Sequence, residues 1–327
     1  LSSDSGIRQG IYRSGLVRLI GGWLDAAPHP LLACEISSEA VAAARWSHPS
    51  GGLEGVAIEP LPAGAVVATA VETNLMDAPA VQAAVSRAFE RLNAKPQDVA
   101  LLVPDAVIRV FVLHFDVFPR NPAEALPILR WRLKKSVPFE AEETLISFMR
   151  QAPISEGVDI VVGLARLRIV REYENLMQAA GMSPGVVMTS TLAVLPLLDD
   201  RRPALLARVA GKSLATAIVR SGALCGYRCI ELPATLPFLS PQALLDEIVP
   251  LGAYYQDSWH ESIGLVRLSG FGGRFEEFAT VLERELNCPV GSLLTTAEDE
   301  GRLPSDVRPL ADRELDALVG WSLNRGA

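Results

Sequence analysis

The residues whose spacing could do chemistry sit in three short turns. Residues 205–230 read LLARVAGKSLATAIVRSGALCGYRCI, three apolar runs broken at Ala210-Gly211-Lys212-Ser213 and at Ser221-Gly222. Apolar runs of about 4–8 residues bounded by Gly and Ser predict buried strands joined by tight turns. The pattern repeats more faintly near the start: residues 31–36 are apolar, Ser37-Ser38-Glu39 interrupts, and residues 40–46 resume. A third turn, Ser269-Gly270-Phe271-Gly272-Gly273, ends a short apolar run and opens a helix with Phe275, Phe278, Leu282 and Leu286 on one face. Small residues in such turns let backbone N–H groups close in on a phosphate. The first two turns fit two ordinary hairpins, or two α/β domains of similar plan facing a shared cleft.

Other chemistries find little support. Cys225 and Cys229, four apart in a strand pattern, are expected on one face but have no histidine nearby. With Cys34 and Cys288 they read as small buried hydrophobes in a reducing compartment. The four histidines form no paired motif, so no metal site is expected, and neither a G-x-S-x-G elbow nor a Walker A run is present. At 327 residues, 49% hydrophobic and 21% charged, the chain is a globular protein with room for about two domains. A net charge of −8 argues against a nucleic-acid partner. No apolar run approaches the ~18–20 residues of a membrane span.

The elements that must position these turns follow in order. Residues 1–30 form a leader containing GLVRLIGGWL and ending at Pro28-His29-Pro30, read as a mobile or body-packed segment, or as a short stretch touching lipid. Strands are expected at 65–70, 99–103 and 107–115, and a helix begins at Asp77-Ala78-Pro79, an N-cap followed by proline in the first turn. Residues 116–182 read as a small α+β subdomain set into the first domain: a helix from Asn121-Pro122 to Lys134-Lys135, two strands at 144–149 and 159–164, and a helix over 168–180. The first domain is expected to span residues 31–198 and the second 199–327, with helices over 241–255, 275–286 and 311–323.

Several stretches resemble one family. ALPILRWRLKKSVPFEAEE at 125–143, Leu245-Asp246-Glu247-Ile248 with Tyr254-Tyr255, VRLSGFGG at 266–273 and LNCPV at 286–290 are similar, in order and spacing, to the PilM family of type IV pilus assembly proteins. This family belongs to the actin-like ATPase clan with FtsA; the type II secretion protein GspL is a more distant relative. The resemblance covers about residues 31–325. It implies an actin-like, ribonuclease H-like α/β fold of two domains with an FtsA-like inserted subdomain. It also implies a place at the cytoplasmic face of the inner membrane, where the protein binds the N-terminal peptide of a PilN-like bitopic membrane protein. The stretch carrying Arg130, Trp131, Lys134, Lys135, Pro138 and Phe139 is then the expected partner-binding surface, between the first domain and the subdomain.

The resemblance also implies a nucleotide cleft at Glu35, Ser37, Ser38, Arg208, Gly211, Lys212, Ser213, Glu247, Gly270, Gly272 and Gly273. This sequence departs from the pattern there. The family's D-I-G-S-S becomes Glu35-Ile36-Ser37-Ser38-Glu39, and its second D-I-G becomes Arg208-Val209-Ala210. An arginine has no acceptor for Mg²⁺, and losing both glycines hinders close approach to phosphate. Pro250 also stands where a basic residue is expected after Glu247. The expectation is a scaffold with a degenerate site: no catalytic residue, no metal, no hydrolysis, and Glu35 paired with Arg208 where Mg-ATP would sit. The competing reading is an ATP-binding switch in which Arg208 contacts phosphate.

Overall fold

The computed structural model describes residues 29–48, 52–136, 143–152, 156–198, 202–232 and 238–323. The leader to residue 28, and Pro138 and Phe139 of the expected partner surface, lie outside these residues. The chain runs β1 Leu32–Ile36, β2 Ala40–Trp46, β3 Leu53–Pro60, α1 Ala78–Arg91, β4 Asp98–Val103, β5 Arg109–Phe115, α2 Pro122–Leu133, β6 Thr144–Arg150, β7 Val158–Arg166, α3 Leu167–Ala179, β8 Ser183–Thr189 and α4 Ser190–Val194. It continues β9 Ala204–Ala210, β10 Ser213–Arg220, β11 Ala223–Glu231, α5 Pro241–Trp259, β12 Leu265–Ser269, α6 Phe275–Leu286, β13 Val290–Ser292, α7 Leu293–Asp299, α8 Arg308–Ala311 and α9 Asp316–Leu323.

Two five-stranded sheets share one plan. The first has the order β3-β2-β1-β4-β8 and the second β11-β10-β9-β12-β13. In each, the first strand forms an antiparallel hairpin with the second and pairs in parallel with the fourth. The repeated strand–turn–strand pattern is thus the central hairpin of each sheet.

Side-chain alternation decides which way the second sheet faces. In β9, Leu205, Ala207 and Val209 enter a core built with Leu244 and Ile248 of α5 and Phe278 and Leu282 of α6. Ala204 and Leu206 instead join the core of the first domain. With a period of two, Arg208 must point toward the first domain as well. The pairing of β10 with β11 is interrupted at Ile218/Val219, leaving Cys225 between paired Leu224 and Gly226. This bulge puts Cys225 into the second core while Tyr227 packs against the first. The expected common face for Cys225 and Cys229 is therefore lost at the extra residue.

The inserted sheet has the order β5-β7-β6, fully antiparallel. Ile160, Val162 and Leu164 of β7 pack under α2 with Ala125, Leu129 and Leu133. Val161 and Ala165, on the opposite face, join the first-domain core. Its edges differ from expectation. β5 belongs to it, whereas α3 sends Ile169, Val170, Tyr173 and Met177 into the first-domain core. Gln151, just beyond β6, ties the insert to the second sheet: its amide donates to Leu224 O at 2.8 Å and accepts from Leu224 N at 2.7 Å.

Helix starts follow the sequence closely. Asp77, Asn121 and Ser240 each cap a helix by accepting from a backbone N–H, and each is followed by proline in the first turn. The expected strand at 65–70 is absent; Val66 makes only an isolated bridge to Leu75. β3 was not anticipated, because Gly55, Glu54 and Glu59 break its apolar pattern. The expected helix over 311–323 is split, with α8 ending at Ala311 and α9 beginning at Asp316. From Leu293 onward the apolar side chains, including Leu310, Leu318 and Trp321, pack into the first core and not the second. A boundary at 199 thus assigns the C-terminal segment to the wrong side.

Candidate functional site

The strand ends of both sheets meet at one buried cluster. Glu35 is the penultimate residue of β1, Asp105 follows the end of β4, Arg208 lies two residues before the end of β9, and Ser269 ends β12. Ligands of open α/β sheets bind beyond these carboxyl ends of strands. Here side chains occupy the place. Arg208 donates from Nε to Asp316 Oδ2 at 2.8 Å and from Nη2 to Asp316 Oδ1 at 2.9 Å, a bidentate pair. The same Nη2 reaches Glu35 Oε1 at 3.2 Å, and Nη1 lies 3.5 Å from Asp105 Oδ2. All four residues are buried.

The expected Glu35–Arg208 pair is present, and Asp316 is its stronger competitor. Asp316 heads α9, accepts from the N–H of Ala317, and receives the hydroxyl of Ser269. Asp105 is held by the N–H and hydroxyl of Thr191 at 2.9 and 2.7 Å and by Tyr227 Oη at 2.9 Å. Tyr227 comes from β11, so Asp105 is a second polar link between the domains.

The electrostatics separate the carboxylates. Burial alone would push Asp316 up, but the charge and paired hydrogen bonds of Arg208, with Ser269 and Ala317, hold it below its usual range. Burial drives Glu35 upward; Arg208 opposes this and the negative charge of Asp316 adds to it. Arg208 spends two hydrogen bonds on Asp316 and meets Glu35 through one contact at 3.2 Å, so burial prevails at Glu35 and not at Asp316. Arg208 is desolvated, yet Asp316, then Glu35 and Asp105, hold it firmly charged.

The remaining cleft residues divide by role. Ser37 closes its own turn: its Oγ donates to Ala40 O and accepts from the N–H groups of Glu39 and Ala40. A Cβ on Gly211 would come within 2.9 Å of Ser38 Oγ, so the two hairpin turns already touch. Ser213 pairs across its turn with Ala210, and Lys212 is exposed. Glu247 leaves the cleft chemistry and meets Arg228 at 3.0 Å. Gly270 has φ +80°, and a Cβ there would stand 2.0 Å from Val209 O. Its need for glycine thus comes from packing on β9. Gly272 and Gly273 border open space.

The partner-surface residues stand apart from the groove expected for them. Arg130, Trp131, Lys134 and Lys135 are exposed on and just after α2, which covers the side of the inserted sheet opposite the first domain. Leu133 is subdomain core, but Trp131 is 79% exposed. Asp105, Tyr227 and Asp316 were missed by sequence reasoning. Asp316 carried a signal, as the last charge of Asp312-Arg313-Glu314-Leu315-Asp316 before the apolar run ALVGWSL; Asp105 carried a weaker one, as an acid two residues beyond a parallel strand.

The arrangement can clamp two domains together; its acids face a bound cation of the chain's own, not an open metal position. Among the described residues no group of His, Cys, Asp and Glu is arranged to hold a metal ion. No protein-family model matches the sequence, and no curated protein matches it. Among solved structures, a chain of a PilM–PilN type IV pilus biogenesis complex is similar over 92% of this chain and 100% of its own length, at 18% identity and a TM-score of 0.65. A Bacteroides thetaiotaomicron protein of unknown function with an actin-like ATPase fold is similar over 86% of this chain and 95% of its own, at 10% identity and a TM-score of 0.50. The chain therefore has the actin-like α/β fold, on a plan it shares along nearly its whole length with the PilM–PilN structure.

Proposed function

We propose that the chain is a non-hydrolysing actin-like scaffold of a type IV pilus or related secretion platform. In this reading it works at the cytoplasmic face of the inner membrane and binds the N-terminal peptide of a PilN-like bitopic membrane protein. The observation that carries the non-hydrolysing part is Arg208, seated on Asp316 and Glu35 at the strand ends where a nucleotide and its Mg²⁺ would need acids and space. Phosphoryl transfer depends on a cation held against the phosphates, and these carboxylates are committed to the guanidinium. The partner rests on likeness to the PilM–PilN structure. Its seat is the groove between the first domain and the inserted sheet, next to edge strand β6, which can accept an extended peptide.

The competing switch reading asks Arg208 to turn to a triphosphate. That would strand Asp316 and Glu35 as buried, unpaired acids beside a polyanion, at a cost of several kcal/mol. Thermal unfolding separates the two, because any ligand of the native state raises the midpoint. Millimolar Mg-ATP is expected to leave the midpoint unchanged, while the partner's N-terminal peptide raises it. A saturable rise with Mg-ATP refutes the scaffold reading in its non-nucleotide form.

A further inference from the structure

Helix α2 buries one stripe and turns a basic, tryptophan-bearing face to solvent. Ala125, Leu129 and Leu133 form its buried stripe. At about 100° per residue, Trp131 lies about 160° from both Leu129 and Leu133, close to diametrically outward. Accordingly its ring is 79% exposed, with Ile128 exposed one turn earlier. Around it stand Arg130, Arg132, Lys134 and Lys135, with Arg120 just before the helix, all exposed. Between residues 120 and 135 the only acid is Glu124, in a chain whose net charge is −8. Arg132 is fixed beside the patch by its guanidinium over the Phe115 ring, 5.0 Å from the centroid. Cations at the helix C-terminus are partly explained by the helix dipole. A fully outward tryptophan among them is not, since a large exposed aromatic contributes nothing to the subdomain core.

We propose that this face docks on an anionic lipid surface. Three features favour a bilayer over a protein. The face is the outer side of a helix whose inner stripe is buried on the inserted sheet, whereas an extended peptide pairs with an edge strand such as β6. Its single aromatic has the amphipathic ring that settles at the headgroup level. Its positive charge is segregated on an otherwise acidic protein, complementary to an anionic leaflet. The contact is peripheral: among the described residues no helix is long and apolar enough to cross a membrane. Docking through α2 goes beyond peptide binding, because α2 and the proposed peptide groove lie on opposite sides of the inserted sheet.

Vesicle co-sedimentation of the full chain tests this. Phosphatidylcholine vesicles with about one-third phosphatidylglycerol are expected to bind the protein, pure phosphatidylcholine is not, and added salt should weaken the binding. Each cation near an anionic surface contributes about fivefold in partitioning, so K134E/K135E should lose at least about 25-fold. W131S should weaken binding at every salt concentration. Both variants alter exposed side chains, and matched unfolding midpoints will confirm that they fold. Absence of binding to anionic vesicles overturns the proposal. So does undiminished binding by K134E/K135E, which would assign the affinity to the first 28 residues or another surface. If K134E/K135E instead keeps vesicle binding and loses the partner peptide, the face is a protein-docking surface and the lipid proposal falls.

Discussion

Replacing Arg208 by methionine removes the cation and keeps most of the side-chain volume. The structure sets the expected cost. Arg208 supplies two hydrogen bonds to Asp316 and one to Glu35, and its remaining guanidinium nitrogen, Nη1, faces Asp105. Breaking a buried ion pair from one side costs about 3–5 kcal/mol, because the remaining charge is stranded. Here three acids are stranded together. For a chain of this size about 2–4 °C accompanies each kcal/mol, so the midpoint at pH 7.5 should fall by on the order of 10 °C. The loss should depend on pH. Arg208 is the main charge that lowers Glu35 and Asp316 against burial, so without it the folded-state pKa values of these two acids rise above their unfolded values. Their contribution to stability is then present at low pH and lost as pH rises through the folded values. The gap between wild type and R208M should accordingly narrow as pH falls from 8 toward about 4.5. The double variant R208M/D316L, which removes the best-paired acid as well, should be more stable than R208M, a non-additivity expected of contacting groups. Circular dichroism melts across that pH range give all three curves. A drop below about 1 kcal/mol at pH 7.5, or a gap independent of pH, refutes the account of Arg208 as the neutralising centre of the cluster.

Two further outcomes follow from the same contacts. Glu35 has a folded pKa raised by burial, so its stabilising contribution is present below its unfolded value and lost as pH rises through the folded one; E35Q should therefore gain on wild type as pH increases above about 4.5, and a constant difference across pH in chemical denaturation would contradict that. Gln151 satisfies the buried N–H and C=O of Leu224, so Q151A should cost about 2–4 kcal/mol in the same assay, with amide exchange accelerated at Leu224; an unchanged exchange rate would show the bridge to be dispensable.

The sequence was legible where a local rule coincided with the tertiary one. Helix starts at Asp77, Asn121 and Ser240 were readable because a capping side chain and an adjacent proline act within a few residues. The two hairpins were readable because continuous apolar runs and small turn residues both mark them. Strand β3 was not, because Gly55 and the buried Glu59 share the face of Ala57 and so erase the apolar alternation. Cys225 was misplaced by one unpaired residue, which reverses facing without any trace in composition. Glu35 and Arg208 could be matched because each lies close to the end of the first strand of a repeated unit. Asp316 could not, since 108 residues separate it from Arg208 and only the return of the chain to the first core brings α9 there. Gly270 was expected as part of a nucleotide turn; its φ of +80° and the carbonyl of Val209, 2.0 Å from where a Cβ would stand, explain the glycine by packing.

The cluster also constrains where function can reside. In an actin-like plan the two sheets gain their responsiveness from a ligand at the strand ends that both domains must share. Here the shared ligand is a side chain of β9, gripped by an acid from each of three places: β1, the turn after β4, and the C-terminal helix. Under the proposed scaffold reading, this covalently attached cation holds the closure without a cycle of ligand binding and release. Opening the cleft requires separating Arg208 from Asp316 and Glu35 in a site from which water is excluded, which is the costly direction for any buried pair. Such a clamp favours one domain arrangement and presents the inserted subdomain in a fixed orientation. The groove beside β6 and the basic, tryptophan-bearing face of α2 then become the variable parts. A rigid body carrying two distinct surfaces on opposite sides of one small sheet is suited to holding two partners at once, and the vesicle and peptide assays can be run together to test it. If peptide and vesicle bind simultaneously with unchanged affinities, the two faces act independently on one rigid frame; mutual exclusion would mean that the two faces overlap or that the frame moves, and would count against the clamp.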